Sequence, residues 1–288
     1  RHPVAAPSQM IERNTLQVRI LGEDLVLYKD RSGGYGLVEP RCPHRKMSMM
    51  YGIPEEDGIR CAYHGWRFDK RGHCTEQPYD DTEDPDGRFK QKIKFKSYPI
   101  EALGGLLLAY LGPSPAPLLP RWDLYVMEDV LRDVGYAEIP CNWLQIMENS
   151  LDPVHVEWLH QNFYNYVVAQ MGKEQLQRPR QKHAKVGFDR FEFGIVKRRI
   201  LEGETEADDD WKTGHPVVFP NMLRQGVAEK KNGAGFQIRV PIDDTHTAHW
   251  WYRCYRKVGG EQKQRAEEIP FYNVPVPELA QNGQPQWQ

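Results

Sequence analysis

Cys42-Pro43-His44 and Cys61-Ala62-Tyr63-His64 form the pattern C-x-H-x16-C-x2-H, with one thiolate and one imidazole in each of two short loops. A fold that carries this pattern must present the two loops side by side. Two thiolates on one iron and two imidazoles on the other is the ligand set of a His-substituted [2Fe–2S] cluster, and replacing two anionic ligands by neutral ones raises its reduction potential well above that of an all-cysteine cluster. The chain is therefore read as a redox protein that accepts electrons readily. A zinc knuckle is the structural alternative, but structural zinc favours Cys-x2-4-Cys pairs or an HxxxH arm over one Cys and one His per loop.

A chain of 288 residues with 40% apolar content can hold one large domain or two ordinary ones. A net charge of −2 gives no argument for nucleic acid or an anionic membrane surface as partner. Beyond Cys42 and Cys61, the remaining Cys74, Cys141 and Cys254 are scattered without a pairing pattern, which suits a reducing, cytoplasmic setting. The longest apolar stretch, Leu103 to Leu111, is broken by Gly104-Gly105 and falls far below the roughly 20 residues that span a bilayer. No signal peptide or membrane anchor is visible. The chain opens on Arg1-His2-Pro3-Val4 without a methionine and reads like the middle of a domain, so missing termini are expected.

Apolar residues alternate through Leu16-Gln17-Val18-Arg19-Ile20 and Leu25-Val26-Leu27-Tyr28, with turns expected at Gly22-Glu23-Asp24, Asp30 to Gly34 and Phe68 to Gly72. These are hairpin signals for an antiparallel sheet, with the two ligand clusters at loop tips. Four prolines between Gly112 and Pro120 exclude a helix interior or a central strand and mark a domain boundary. The organisation expected is α+β: an N-terminal antiparallel β-domain over 1–115 and a C-terminal domain over 116–288. The second begins helix-rich, from about Asn142 to Gln177, and continues in strand-like runs at Val186 to Ile200, Pro216 to Arg224, Gly235 to Pro241 and Thr245 to Tyr255. The acidic run Glu202 to Asp210 reads as a solvated hairpin loop rather than a metal site, and Pro270 to Pro277 and Gln281 to Gln288 as extended or loose chain.

Asp152-Pro153-Val154-His155 and His160 form D-x2-H-x4-H. Two imidazoles close in sequence are what a mononuclear Fe(II) centre of the two-His, one-carboxylate type needs on one side, leaving other positions open for O2 and substrate. Positions five apart on a straight α-helix point about 140° away from each other, so the two rings meet only across a helix break or a π-bulge. Asp152-Pro153 offers the break, since proline suits a first helical position and aspartate can cap the new helix. The competing reading makes Asp152 only an N-cap and the two His ordinary helix residues.

Arg41-Cys42-Pro43-His44-Arg45 and Cys61-Ala62-Tyr63-His64-Gly65-Trp66 resemble the CPHR and CxYHGW boxes of the Rieske non-haem iron oxygenases. Asn142-Trp143, Glu148-Asn149, Asp152, His155 and His160 resemble the signature of that family's catalytic domain. Leu21-Gly22-Glu23-Asp24-Leu25-Val26, Gly214-His215-Pro216 and Val240-Pro241-Ile242-Asp243-Asp244-Thr245-His246-Thr247 look most like the phthalate 4,5-dioxygenase branch of oxygenase (α) components.

The resemblance implies a Rieske β-domain followed by a helix-grip-like catalytic domain with a curved antiparallel sheet packed on helices. It makes Cys42, His44, Cys61 and His64 the cluster ligands and His155 and His160 the iron ligands, with Asn149 beside the open iron positions. Asp152 becomes a carboxylate that bridges an iron-ligating His to a Rieske His across a subunit boundary, so a ring-shaped homo-oligomer, most simply a trimer, is expected. The implied reaction is hydroxylation, as a cis-dihydrodiol, of an aromatic, carboxylated substrate, with O2 and electrons from a separate NAD(P)H-dependent reductase. A monooxygenase or O-/N-demethylase on the same scaffold, or an electron-transfer module with a vestigial iron site, are the alternatives. The family's third iron ligand is a later aspartate, yet none follows Asp244, and Glu261, Glu267, Glu268 and Glu278 sit in no matching context; the ligand is expected beyond Gln288. Arg178, Arg180, Lys197, Arg198, Arg199 and Arg224 are candidates for a clamp on the substrate carboxylate.

Overall fold

The computed structural model describes residues 1–226, 233–257 and 263–276, so the expectations placed on Glu261, Pro277, Glu278 and the tail from Gln281 lie outside the described residues. The architecture is α+β. In the first hundred residues, Thr15–Ile20, Glu23–Lys29, Tyr35–Val38 and Ser97–Tyr98 form one four-stranded antiparallel sheet, and Ile53–Pro54, Ile59–Arg60, Arg67–Phe68 and Cys74–Glu76 form a second. The first turn is tighter than Gly22-Glu23-Asp24. Leu21 and Gly22 make it, with φ of 52° and 78°, and Glu23 and Asp24 already pair with Ile20 and Arg19.

The apolar Leu103 to Leu111 stretch belongs to a hairpin. Ile100–Leu103 and Leu106–Ala109 turn at Gly104-Gly105, and His2–Ala5 closes a three-stranded sheet on the other side of Leu106–Ala109.

The second half is built on an eight-stranded sheet ordered His183–Phe191, Gly194–Leu201, His215–Val218, Met222–Gly226, Ala234–Pro241, Thr247–Arg256, Val130–Ile139 and Phe271–Asn273. Two runs that read as single strands are hairpins, because Glu192-Phe193 turns the first and Phe219 to Asn221 the second. Phe271–Asn273, within the stretch read as extended or loose chain, forms an edge strand, and its pairing with Val130–Ile139 is parallel. The acidic run is an ordered connection: Thr205 N–H donates to Asp208 at 2.7 Å, and Asp210 binds Arg199 at 2.6 Å and His215 at 3.2 Å. The His215 and Arg199 hydrogen bonds hold the Asp210 carboxyl well below the usual carboxylate range.

The two halves share one core. Val4, Leu25 and Leu107 are buried in the same cluster as Val134, Phe236 and Trp250, and each such side chain contributes about 1.5–3 kcal/mol on burial. Gly104, at φ +61°, lets the hairpin turn reach the large sheet: a Cβ there would lie 2.7 Å from Tyr252 Oη, which donates to the Gly104 carbonyl at 2.7 Å. Leu21 and Gly22 N–H groups donate to the Pro241 and Ile242 carbonyls, each at 2.8 Å. The proline-rich segment 112–120 lies outside regular elements and is mostly exposed, with Leu119 reaching into the core.

Strand alternation gives the large sheet two distinct faces. Phe236, Ile238, Trp250 and Tyr252 point into the shared core, whereas Val217 and Leu223 pack on the opposite side against Met147 of the Trp143–Leu151 helix. That second side is the face the Trp143–Leu151 helix covers.

Candidate metal centres

The two cluster loops are built alike. Cys42 N–H donates to Met47 O at 2.9 Å and Lys46 N–H returns to Cys42 O at 3.0 Å, while Cys61 N–H donates to Trp66 O at 2.8 Å and Gly65 N–H returns to Cys61 O at 3.0 Å. The fifth residue of each turn is left-handed, Lys46 at φ 58° and Gly65 at φ 76°. Gly65 also has a packing reason, since a Cβ would press on Pro78 Cγ at 3.0 Å. Both thiols are buried, and the His44 and His64 ring centroids stand 4.6 Å apart. His44 lies flat on Trp66, 4.4 Å between centroids. Arg60 braces the second loop from beneath, donating to Gly65 O at 2.6 Å and to Glu76 at 2.6 Å, with Glu55 as its third partner.

These residues fit an iron–sulfur group. His44 Nδ1 is buried without a hydrogen-bond partner, which native interiors rarely tolerate. Burial, with Cys61 adding to it, pushes the Cys42 thiol up to about 12; metal ligation offsets that penalty by holding the thiolate form.

The second constellation depends on helix irregularity. Asn142 caps the Trp143–Leu151 helix by accepting from Leu144 N–H at 2.9 Å, and its amide donates to Asp244 O at 2.8 Å. The helix ends where Asp152 turns extended, at ψ 114°. A new helix starts at His155–Glu157, and Trp158–Phe163 then winds as a π-helix. The break and the bulge both occur, and the His155 and His160 ring centroids meet at 5.1 Å. Asp152 is also an N-cap: Oδ1 accepts from Val154 N–H at 2.8 Å. Its Oδ2 lies 3.4 Å from His155 Nδ1, within ion-pair range but not in hydrogen-bond geometry, since that nitrogen has no hydrogen-bond partner. A buried, partnerless imidazole nitrogen beside a second ring suits a metal ligand. Asn149 is exposed one turn earlier, its carbonyl accepting from Asp152 N–H at 3.2 Å.

A polar ladder fixes this helix, and sequence reading missed it. Glu157 Oε1 accepts from His183 Nδ1 at 2.7 Å, Gln161 Oε1 from Gln181 N–H at 2.8 Å, and Asn165 Oδ1 from Arg178 N–H at 2.8 Å. The spacing of four along the helix was legible as a polar stripe; its partners were not. From the sheet, buried Lys197 donates to Ser150 O at 2.8 Å, and burial lowers its pKa to about 8. Burial, then the charges of His155 and Arg178, lower the pKa of His160.

Of the clamp candidates, Arg198, Arg199 and Arg224 are held in ion pairs with Asp189, Asp210 and Asp123. Arg178 lies over the Tyr164 ring at 4.1 Å, and Arg180 is exposed. Among the described residues no three His, Cys, Asp or Glu converge on one ion position. A two-iron cluster needs no such convergence, because each iron takes two protein ligands; at the His155–His160 pair it means that no described carboxylate completes a triad. A cavity of about 680 Å³ lined by Val18, Tyr136, Trp250 and Phe271 includes none of these ligands, so the donor sets, not this void, locate the chemistry.

Residues 1–99 match the family described as Rieske [2Fe-2S] domain. The chain is 42% identical over 277 residues to the 5,5'-dehydrodivanillate O-demethylase oxygenase subunit of Sphingobium sp. (strain NBRC 103272 / SYK-6), covering 96% of this chain and 62% of that protein. It is 32% identical over 249 residues to the phthalate 4,5-dioxygenase oxygenase subunit of Pseudomonas putida, covering 82% of this chain and 54% of that protein. The solved structure of Pseudomonas putida CBB5 NdmA shares the fold at a TM-score of 0.65 and 19% identity, over 91% of this chain and 74% of that one. The chain thus carries a Rieske [2Fe–2S] domain, and the relatives it matches over most of its length are oxygenase subunits. It spans less than two thirds of the length of these curated relatives. Among the described residues no helix is long and apolar enough to cross a membrane.

Proposed function

We propose that this chain acts in the terminal oxygenase component of a Rieske oxygenase, taking electrons from a separate NAD(P)H-dependent reductase and oxidising a small aromatic, carboxylated substrate in aromatic catabolism. Residues 1–115 serve as the electron-receiving domain and 116–288 as the substrate-oxidising one, in a cytoplasmic homo-oligomer, most simply a trimer. The observation that carries this reading is the presence in one chain of two donor sets, the Cys42/His44/Cys61/His64 loops and the His155–His160 pair brought to 5.1 Å by a π-turn. When bound, the cluster supplies single electrons and the mononuclear iron the place where O2 meets the substrate.

The protein's own contribution is placement. Cys42, His44, Cys61 and His64 hold the cluster, and His155 and His160 hold two positions of the iron. Asp152 uses Oδ1 to start the iron helix and leaves Oδ2, 3.4 Å from His155 Nδ1, to link the iron-ligating His155 to a Rieske imidazole across a subunit boundary once the metal fixes that ring. Asn149 borders the open positions, and a carboxylate outside the described pairings completes the triad.

The higher identity to the O-demethylase, 42% against 32% for the phthalate dioxygenase, favours O-demethylation over cis-dihydroxylation. Turnover under ¹⁸O2 with a surrogate reductase tests the reaction: formaldehyde release marks the demethylase, and two labelled atoms in one product mark the dioxygenase. Asp152→Asn should keep both metals yet lose electron transfer between them. A monomer that turns over at the full rate contradicts the bridge.

A further inference from the structure

The helix-covered face of the large sheet holds a buried charge without a counter-charge. Arg239 and His249 are 3% and 5% exposed and stand opposite each other in register on neighbouring strands. Arg239 Nη1 donates to the Gln237 carbonyl at 3.0 Å and Nη2 to Gln237 Oε1 at 2.5 Å, but its Nε has no partner, and neither ring nitrogen of His249 has one. No carboxylate among the described residues acts on the guanidinium: burial alone lowers its pKa, to about 9. Burial, and then the Arg239 charge, hold His249 neutral with a pKa of about 3, so its ring offers one N–H donor and one acceptor.

Register sets where this pair faces. Gln237 pairs with Leu223 and Trp251, and Leu223 packs against Met147 of the helix preceding His155. By alternation Arg239 and His249 share that side, the one covered by the Trp143–Leu151 helix. A groove of about 240 Å³ lined by Gln225, Gly235, Gln237, Trp251 and Arg253 runs along the same strands. Next to it Trp251 stacks on His249, 4.0 Å between ring centroids and 11° from parallel.

A lone cation taken out of water is strongly unfavourable unless an anion meets it, and a guanidinium edge matches a carboxylate with two parallel N–H donors. We propose that Arg239 and His249 form the anion-binding end of the substrate pocket, taking the carboxylate of an aromatic acid on the unpartnered Arg239 Nε–H and the imidazole N–H, with the ring lying along Trp251. Arg239 and His249 are then the specificity determinants that Arg178 to Arg224 were expected to supply. The substrate assignment rests on the oxygenase reading; the anion site itself does not.

The test is binding of benzoate and of its neutral ester, methyl benzoate, to the cluster-loaded chain, read by tryptophan fluorescence without O2 or reductase. Benzoate should bind at least about tenfold more tightly than the ester, the scale of one charge-assisted contact. Arg239→Gln should erase that preference with ester affinity unchanged, and Arg239→Lys should restore part of it. The cluster's visible absorption reports folding of each variant. Equal binding of acid and ester by the wild-type chain overturns the proposal even where Arg239→Gln fails to fold, as does a preference that survives Arg239→Gln. Failure to assemble a cluster, with the benzoate preference intact, would instead count against the oxygenase reading.

Discussion

The cluster loops and the His155–His160 segment solve the same problem, bringing donor atoms to one point, by opposite means. Each cluster loop closes on itself through two backbone hydrogen bonds and a left-handed fifth residue, and Arg60 braces the second of them. The iron segment is positioned from outside: its π-turn is held by Glu157, Gln161 and Asn165 against residues 178–183, and Lys197 reaches up to Ser150 from the sheet. A self-closed loop can be recognised from its own residues. A segment held by distant chain depends on the whole fold, and its ligand set among the described residues stops at two imidazoles.

The largest expected effect breaks the first region without touching the second. Cys42→Ser or His64→Ala should abolish the cluster's visible absorption and acid-labile sulfide entirely, while Co(II) binding at His155 and His160, read by its d–d spectrum, persists. His155→Ala should do the reverse, removing the Co(II) signal and leaving the cluster intact. Next in size is retention. Two imidazoles alone hold Fe(II) loosely, so gel filtration of the 288-residue chain should strip mononuclear iron but not the cluster; retention of both would show that a further side chain joins the pair.

A smaller effect tests the ladder. Gln161→Ala leaves the Gln181 N–H without its partner, a loss of about 1–3 kcal/mol, and Co(II) affinity should fall up to about tenfold with the cluster spectrum unchanged. The smallest is a pH effect at the Arg60 brace. Hydrogen bonding to Arg60 lowers the Glu55 pKa. A carboxyl depressed in the folded state stabilises it fully above the unfolded value of about 4.3 and loses that contribution as pH falls through the folded value. The wild-type advantage over Glu55→Gln in thermal unfolding should therefore be present at neutral pH and fade below about pH 4.

Legibility followed the same divide. Both cluster loops, and the need for a break or bulge between His155 and His160, were readable because their constraints lie within short stretches. The hairpins at Glu192-Phe193 and Phe219 to Asn221 were hidden inside strand-like runs that the residue pattern did not divide. Glu157 and His183 are joined only by the fold, and Arg239 looks like any strand arginine until register sets it against His249 on a buried face. Burial and missing partners are properties of packing, which sequence pattern does not carry.

Metal and sulfide analysis of the purified chain, paired with EPR of the dithionite-reduced protein, tests the central claim most directly. The account predicts iron and acid-labile sulfide in the equal ratio of a [2Fe–2S] cluster, an EPR signal of the His-ligated type, and loss of that signal in His44→Ala. Stoichiometric zinc with no chromophore would contradict it.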